Sequence, residues 1–209
     1  INKYKLLTVH HPKNGVAHVT VGFAAVWGAL AGMSAQGLSV HEANLEESLV
    51  TFRGFPWILR LRHAMANSPT GSLAEAKAVW EATNNTVGFN HMFASATDGA
   101  ALAMETMKDY TAYFSDMDER EDGAIDPATG DVYGFPLKDA LWRTNHGYDP
   151  VTQDNYQWYT YNAYENSKDR YNVIHDYIED YSLASQLIGA NEAVRITSAV
   201  GMKGDETNE

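Results

Sequence analysis

The chain has 209 residues, 44% of them hydrophobic and 20% charged, a composition typical of a globular protein rather than a disordered one. Its net charge of -12 disfavours nucleic acid as a partner, because an acidic surface repels phosphate backbones. The chain has no cysteine, which excludes disulfides, thiolate zinc sites and a cysteine nucleophile within these residues. No apolar run approaches the roughly 18 residues of a membrane-spanning helix, so we expect no membrane span.

The N-terminal region has the patterns of two β-hairpins. Lys5–His10 and Val16–Gly22 alternate in polarity and flank Asn14-Gly15, a pair that tolerates the positive φ angles of a tight turn. Val26–Met33 and Leu38–Ala43 are predicted to form the second hairpin. A glycine at position 37 suits a left-handed turn residue between them.

Two helices are predicted next. Trp57–Ala66 follows Pro56, which the first turn of a helix tolerates, and its apolar residues recur at helical spacing. Ser72 and Glu75 have the spacing of a capping box, which predicts the start of a second helix ending near Thr83.

Strands are then predicted at His91–Ala96 and Ala101–Glu105, joined by a turn at Asp98-Gly99, and at Tyr110–Phe114. The acidic, turn-rich segment Asp116–Gly130 is predicted to be a solvated surface loop. It lacks the ligand spacing of a calcium-binding loop.

The C-terminal part returns to a helical period. Apolar side chains recur on one face after Ser167, and a last helix is predicted at Asn191–Val200. Antiparallel strands separated by helix pairs indicate an α+β fold, which we interpret as a single domain over residues 1–209 with two stacked sheets and helices outside.

Metal and cofactor chemistry has little support in the sequence. The eight histidines are scattered and show neither the helical His-x-x-x-His spacing nor a Cys/His cluster, so we expect no metal site and no cofactor. The aromatic run Tyr156–Tyr161 leaves open a sugar-binding or lipid-binding groove, although dense aromatics more often pack a loop against the core.

Three ordered segments resemble the acyl-coenzyme A:6-aminopenicillanic acid acyltransferases, a family of N-terminal-nucleophile (Ntn) enzymes that cleave or form amide bonds. The segments are WGALAGMSAQGLSVHEAN at 27–44, NHMFASATDG at 90–99 continuing to Glu105, and RTNHG at 143–147 followed by SKDRY at 167–171. Ser34 stands where the first motif usually has asparagine.

The resemblance implies a four-layer αββα sandwich in which an N-terminal cysteine attacks a carbonyl group. It implies that Asn145 donates to the oxyanion, that Arg170 holds the surroundings of the nucleophile or a substrate carboxylate, and that Asn44 is a second active-site asparagine. Read without the resemblance, Asn145 could belong to a polar turn, Arg170 to an exposed first helical turn, and Asn44 to a strand end.

The chain departs from the family in one respect, because residue 1 is Ile and no cysteine follows. We therefore expect the C-terminal portion of an Ntn catalytic domain, incomplete at its N-terminus, with an upstream chain or segment that carries the nucleophile as its partner. The expected substrate is a small acyl amide or acyl thioester. A non-catalytic module that kept the fold, and an unrelated α+β lipid or sugar binder, remain the alternatives.

Overall fold

The strands of this computed structural model lie in one antiparallel sheet. The structure describes residues 4–45, 49–126, 129–155 and 163–201, with side chains in the last range from residue 166 onward. The seven described strands are β1 (Lys5–His10), β2 (His18–Phe23), β3 (Ala31–Ser34), β4 (Leu38–Asn44), β5 (Phe89–Ser95), β6 (Ala100–Met107) and β7 (Tyr110–Phe114). The helices are α1 (Trp57–Ala66), α2 (Leu73–Glu81), α3 (Pro150–Asp154), α4 (Ala163–Leu183) and α5 (Ala190–Ala199).

Each strand pairs with its sequence neighbour, so the strand order of the sheet is β1 to β7 without crossover. Short connections explain the pairing from β1 to β4 and from β5 to β7, because they return the chain beside the strand it has just left. Strands β4 and β5 also pair, although the helices α1 and α2 lie between them in the chain. The turn between β3 and β4 has Gly37 at φ 79°, as predicted. The patterns suggested two stacked sheets, whereas the described residues form one.

Helices α1 and α2 cover one face of the sheet. Ser72 caps α2 by accepting a hydrogen bond from the Glu75 backbone N–H at 3.3 Å, which confirms the predicted helix start. The two helices pack on alternate residues of the central strands, and this core consists of Ala29, Leu38, Val40, Leu61, Ala64, Met65, Ala76, Trp80, Phe93 and Met104.

The opposite face of β5, β6 and β7 is covered by the irregular segment 133–148 and by α4. The rings of Trp142 and Tyr171 stack there with centroids 4.9 Å apart. The buried members of this second core are Leu45, Ala103, Ala112, Phe114, Tyr133, Trp142, Tyr148 and Tyr171. This packing holds the segment that contains Asn145 against the sheet.

Two elements of the structure differ from the prediction. Residues 26–30 are not part of a strand, and the short helix α3 was not predicted. Asp149 caps α3, because its carboxylate accepts hydrogen bonds from the Val151 and Thr152 backbone N–H groups at 3.0 and 3.3 Å.

The prediction that Asp116–Gly130 is solvated is wrong for two of its acids. Glu121 and Asp126 are buried, and each forms an ion pair with a partly or fully buried cation. The Arg143–Glu121 pair has an N–O distance of 2.9 Å, and the Lys168–Asp126 pair one of 2.6 Å. Tertiary partners therefore bury carboxylates that composition alone assigns to the surface.

Candidate active site

The three residues that the sequence singled out, Asn44, Asn145 and Arg170, lie together at one end of the second core. The Asn145 side-chain nitrogen donates to the backbone carbonyl of Asn44 at 2.7 Å. Its side-chain oxygen accepts a hydrogen bond from the Arg170 guanidinium at 2.8 Å. Residues 101 positions apart are thus joined through one amide group.

Arg170 lies in the second turn of α4 rather than the first, because the helix begins at Ala163. Its Nε also donates to the Asn166 side chain one turn earlier, at 2.7 Å. Partial burial lowers the pKa of Arg170 from its ordinary value, but the group remains a cation at neutral pH. The guanidinium therefore presents a fixed charge to the oxygen of the Asn145 amide.

Asn44 contributes through its backbone. It pairs with Phe89 across the sheet, and directly opposite residues share a face. The Phe89 ring contacts Trp57 of α1, with centroids 4.2 Å apart, so this is the face that the helices α1 and α2 cover. The Asn44 side chain accordingly points away from the Asn145 amide, and its carbonyl oxygen makes the contact.

A polar network fixes the backbone on both sides of Asn145. The Asn145 backbone N–H donates to the Ser167 hydroxyl at 2.7 Å, and that hydroxyl lies 2.8 Å from Nδ1 of His146. His146 Nε2 lies 2.9 Å from the Tyr148 hydroxyl. Burial, reinforced by the positive charges of Arg143 and Arg170, lowers the pKa of His146 to about 3, so its imidazole is neutral.

An apolar cleft of about 770 Å³ opens beside this amide, between the end of β4, the segment 141–145 and the helices α4 and α5. Asn145 and Arg170 lie on its wall. The apolar lining consists of Ala43, Leu141, Trp142, Ile174, Ile178, Ile188, Ala193, Ile196 and Val200. The site therefore combines an amide donor and a cation with a surface suited to a hydrocarbon chain.

Two residues of the site had not been singled out for a role. Asn90 and Glu105 point from the sheet into the segment 144–149, where their polar atoms bond its backbone. Both residues stand in the second segment of the resemblance, yet nothing in their spacing indicates that they meet a segment 43 to 56 positions later. The run Tyr156–Tyr161 lies outside the described residues.

The sequence model of the acyl-coenzyme A:6-aminopenicillanic acid acyl-transferase family matches residues 2–196. The chain belongs to this family. Membership excludes the interpretation of this protein as an unrelated lipid or sugar binder. No curated protein matches the sequence.

Solved structures similar to this member of the acyl-transferase family include an N-acylethanolamine-hydrolyzing acid amidase ortholog from Caenorhabditis elegans. That likeness has a TM-score of 0.62 and 12% sequence identity, and covers 97% of this chain and 76% of the other. Two variants of conjugated bile acid hydrolase from Clostridium perfringens are also similar, with TM-scores of 0.55 and 0.54 and identities of 16% and 17%. Each of these two matches covers 93% of this chain and 66% of the hydrolase chain.

At these identities the likeness shows a shared fold, that of the Ntn hydrolases, which confirms the predicted fold class. Among the described residues of this acyl-transferase family member, no helix is long and apolar enough to cross a membrane. The same residues contain no group of three or more His, Asp or Glu side chains placed to hold a metal ion.

Proposed function

We propose that the chain is part of an enzyme that transfers an acyl group from an amide or a thioester through a cysteine located outside these 209 residues. The observation that carries this proposal is the contact of Asn145 with both Arg170 and the end of β4, on the wall of an apolar cleft. Membership of an acyl-transferase family agrees with it.

In the proposed reaction the thiolate attacks the carbonyl carbon of the substrate, and the α-amine of the cysteine takes the thiol proton. The carbonyl oxygen then becomes an oxyanion. When the tetrahedral intermediate collapses, the C–N bond breaks and the leaving amine receives that proton. Water or a second amine next attacks the thioester carbonyl and gives a proton to the α-amine. The C–S bond then breaks, the acyl group leaves as an acid or a new amide, and the sulfur takes the proton back as a thiol.

Asn145 is assigned to the oxyanion in this scheme. Its amide nitrogen donates to the Asn44 carbonyl, and we assign to the same nitrogen a hydrogen bond to the oxyanion. A side-chain amide suits this task because it donates without titrating. Preorganised donors of this kind stabilise charge that develops only in the transition state.

Arg170 is assigned a positioning role. By donating to the amide oxygen of Asn145 it fixes the rotation of the amide and polarises it, which strengthens the N–H groups as donors. Charge-assisted hydrogen bonds are roughly twice as strong as neutral ones. The arginine therefore favours the amide orientation in which the nitrogen, not the oxygen, faces the end of β4.

The acyl group is assigned to the cleft, because α4 and α5 line it with aliphatic side chains. The part that carries the nucleophile is assigned to the uncovered face of β1, β2 and β3. Leu7, Val9 and Met33 are 64%, 60% and 53% exposed there. This face continues across the sheet to His41, which lines the cleft, so a segment packed on it would reach the site.

The test uses the full-length parent protein. Mass spectrometry should detect self-cleavage immediately before a cysteine. Asn145→Asp, which keeps the shape but replaces the donor with an acceptor, should then lower kcat for amide hydrolysis by roughly 10²–10³-fold.

Asn172→Ala is the control for this substitution. Asn172 is an exposed asparagine on the same helix as Arg170, and its loss should leave turnover unchanged. Unchanged turnover in Asn145→Asp would reject the assigned role. A parent protein without any cysteine would favour the non-catalytic module that kept the fold.

A further inference from the structure

The sheet beneath the candidate site carries two polar side chains that form hydrogen bonds with the backbone of the segment above them. Asn90 of β5 and Glu105 of β6 are directly opposite one another in the sheet register. Both are buried and both point toward the face that carries the segment 144–149.

Asn90 holds the chain on either side of Asn145. Its side-chain nitrogen donates to the carbonyl oxygen of Thr144 at 2.7 Å and to that of His146 at 2.8 Å. These carbonyls belong to the residues before and after Asn145, so one amide group fixes both flanking backbone positions. Their orientation sets the direction in which the Asn145 side chain leaves the backbone.

Glu105 holds the next part of the same segment by accepting hydrogen bonds, whereas Asn90 donates them. Its two carboxylate oxygens accept hydrogen bonds from the backbone N–H groups of Tyr148 at 2.7 Å and Asp149 at 3.0 Å. A Cβ atom at position 147 would lie 2.7 Å from one of these oxygens, so Gly147 allows the close approach.

The chemistry of each side chain matches what it faces. A primary amide can donate two hydrogen bonds to two carbonyls, and a carboxylate can accept two from two N–H groups. Exchanging either type would place donor against donor or acceptor against acceptor in a site closed to water. The match gives the segment one backbone position relative to the sheet.

We propose that Asn90 and Glu105 act as a pair of positioning residues that aim the Asn145 amide at the reacting carbonyl. This inference rests on the proposed function, in which Asn145 donates to the oxyanion. In this proposal the two residues act through their hydrogen bonds to the backbone of the segment 144–149.

The first experiment is independent of catalysis and uses the 209-residue chain. Hydrogen exchange measured by NMR should become faster at the amides of residues 144–149 in Asn90→Leu and in Glu105→Gln, with smaller changes elsewhere. Asn85→Leu is the matched control. Asn85 is also buried and donates to two carbonyls, those of Met107 at 3.0 Å and Tyr110 at 2.6 Å, but it holds a different turn.

The second experiment measures turnover in the full-length parent protein. Asn90→Leu should lower kcat by roughly 10²-fold, because a small displacement of a reacting group has an effect of that order. KM should change much less than kcat. Adding Asn90→Leu to Asn145→Ala should have almost no further effect, because the residue acts through Asn145.

Multiplied rather than shared losses in the double variant, or exchange at 144–149 that is no faster than in Asn85→Leu, would overturn the positioning role. If Asn145→Ala alone leaves turnover unchanged, the proposed function fails, and the exchange data still decide whether the pair holds the segment. Glu105→Gln provides the same reading if Asn90→Leu does not fold.

Discussion

Two buried histidines have similar pKa values in very different surroundings. Burial lowers the pKa of both His91 and His146 to about 3, with nearby cationic residues adding to the effect. His146 lies within hydrogen-bond distance of Ser167 and Tyr148. His91 packs among the rings of Trp80 and other aromatics, and neither of its nitrogens has a hydrogen-bond partner among the described residues.

The pKa of a buried carboxyl group in the same region shifts in the opposite direction. Burial raises the pKa of Glu105 to about 7, although Arg143 and the backbone N–H groups of Tyr148 and Asp149 favour its charged form. Desolvation is therefore the larger influence on this residue. The bonds that Glu105 makes to the backbone remain possible in both protonation states, since the neutral acid keeps lone pairs on each oxygen.

We predict that His91→Phe reduces the loss of stability in acid. The unfolded chain protonates this histidine below about pH 6.5, whereas the fold keeps it neutral down to about pH 3. Its contribution is thus complete above pH 6.5 and decreases as the pH falls toward 3. Between pH 6.5 and pH 5 the difference amounts to about 2 kcal/mol.

Urea unfolding at several pH values would measure this effect. The free energy of unfolding of His91→Phe should fall by about 2 kcal/mol less than that of the unchanged chain over this range. His11→Phe, at an exposed position, is the control and should not reproduce the gain. Parallel pH profiles for His91→Phe and the unchanged chain would contradict the prediction.

At the scale of elements, helices α4 and α5 shape the cleft to which the acyl group was assigned. Helix α4 packs its aromatic and aliphatic face on the second core, and α5 closes the cleft with Ile196. The first residues of α5 are held by a capping interaction, in which the Gly189 backbone N–H donates to the Glu192 carboxylate at 3.0 Å. This bond fixes where the helix starts relative to the cleft.

Filling the cleft should therefore change acyl preference. Ala193 lines the cleft from α5 and is exposed, so Ala193→Trp adds volume without disturbing the core. In the full-length parent protein we expect kcat/KM for long-chain acyl amides to fall roughly tenfold or more, with a smaller effect on short-chain ones.

Ala199→Trp is the control for this substitution, because Ala199 is an exposed residue of the same helix that does not line the cleft. It should leave the ratio of long-chain to short-chain activity unchanged. An equal loss for all chain lengths in Ala193→Trp would mean that the acyl chain binds elsewhere.

At the scale of the whole molecule, the two faces of the sheet are covered unequally. One face carries α1 and α2, while the other is covered over β5 to β7 and exposes apolar side chains over β1 to β3. Strand β1 also lies at the edge of the sheet. Exposed apolar surface next to an open edge is typical of an association surface.

We predict that Leu7→Lys leaves the stability of this chain within about 0.5 kcal/mol of its original value, because the side chain is exposed. Under the proposed function, the same change should weaken association with the proposed part that carries the nucleophile by roughly tenfold or more, since a lysine would be enclosed against apolar surface. Urea unfolding would measure the stability, and calorimetric titration of the two parts would measure the association.

Leu187→Lys provides the comparison, because Leu187 is exposed in the connection between α4 and α5, away from β1. It should leave the association constant unchanged. Equal effects of the two substitutions would show that the face of β1 to β3 is not the association surface.

Local chemistry determined most of the elements. Alternation and glycine turns predicted the hairpins, and the Ser72 capping box predicted the start of α2, because these signals act over a few residues. Residues 26–30 were misassigned as part of a strand because Val26 and Trp27 have high β-propensity, whereas in the structure they lie in the connection between β2 and β3. The ordered segments of the resemblance also predicted the fold class, which the comparisons confirm.

Sequence patterns predicted most strands and helices, the family resemblance, and Asn145 and Arg170 as candidates. The packing of the sheet and helices was needed to show that these two side chains bond each other, that Asn44 takes part through its carbonyl, and that Asn90 and Glu105 hold the backbone around Asn145. The physical reason is range: propensities and caps act between near neighbours, whereas hydrogen bonds across tens of residues depend on how the sheet and α4 pack.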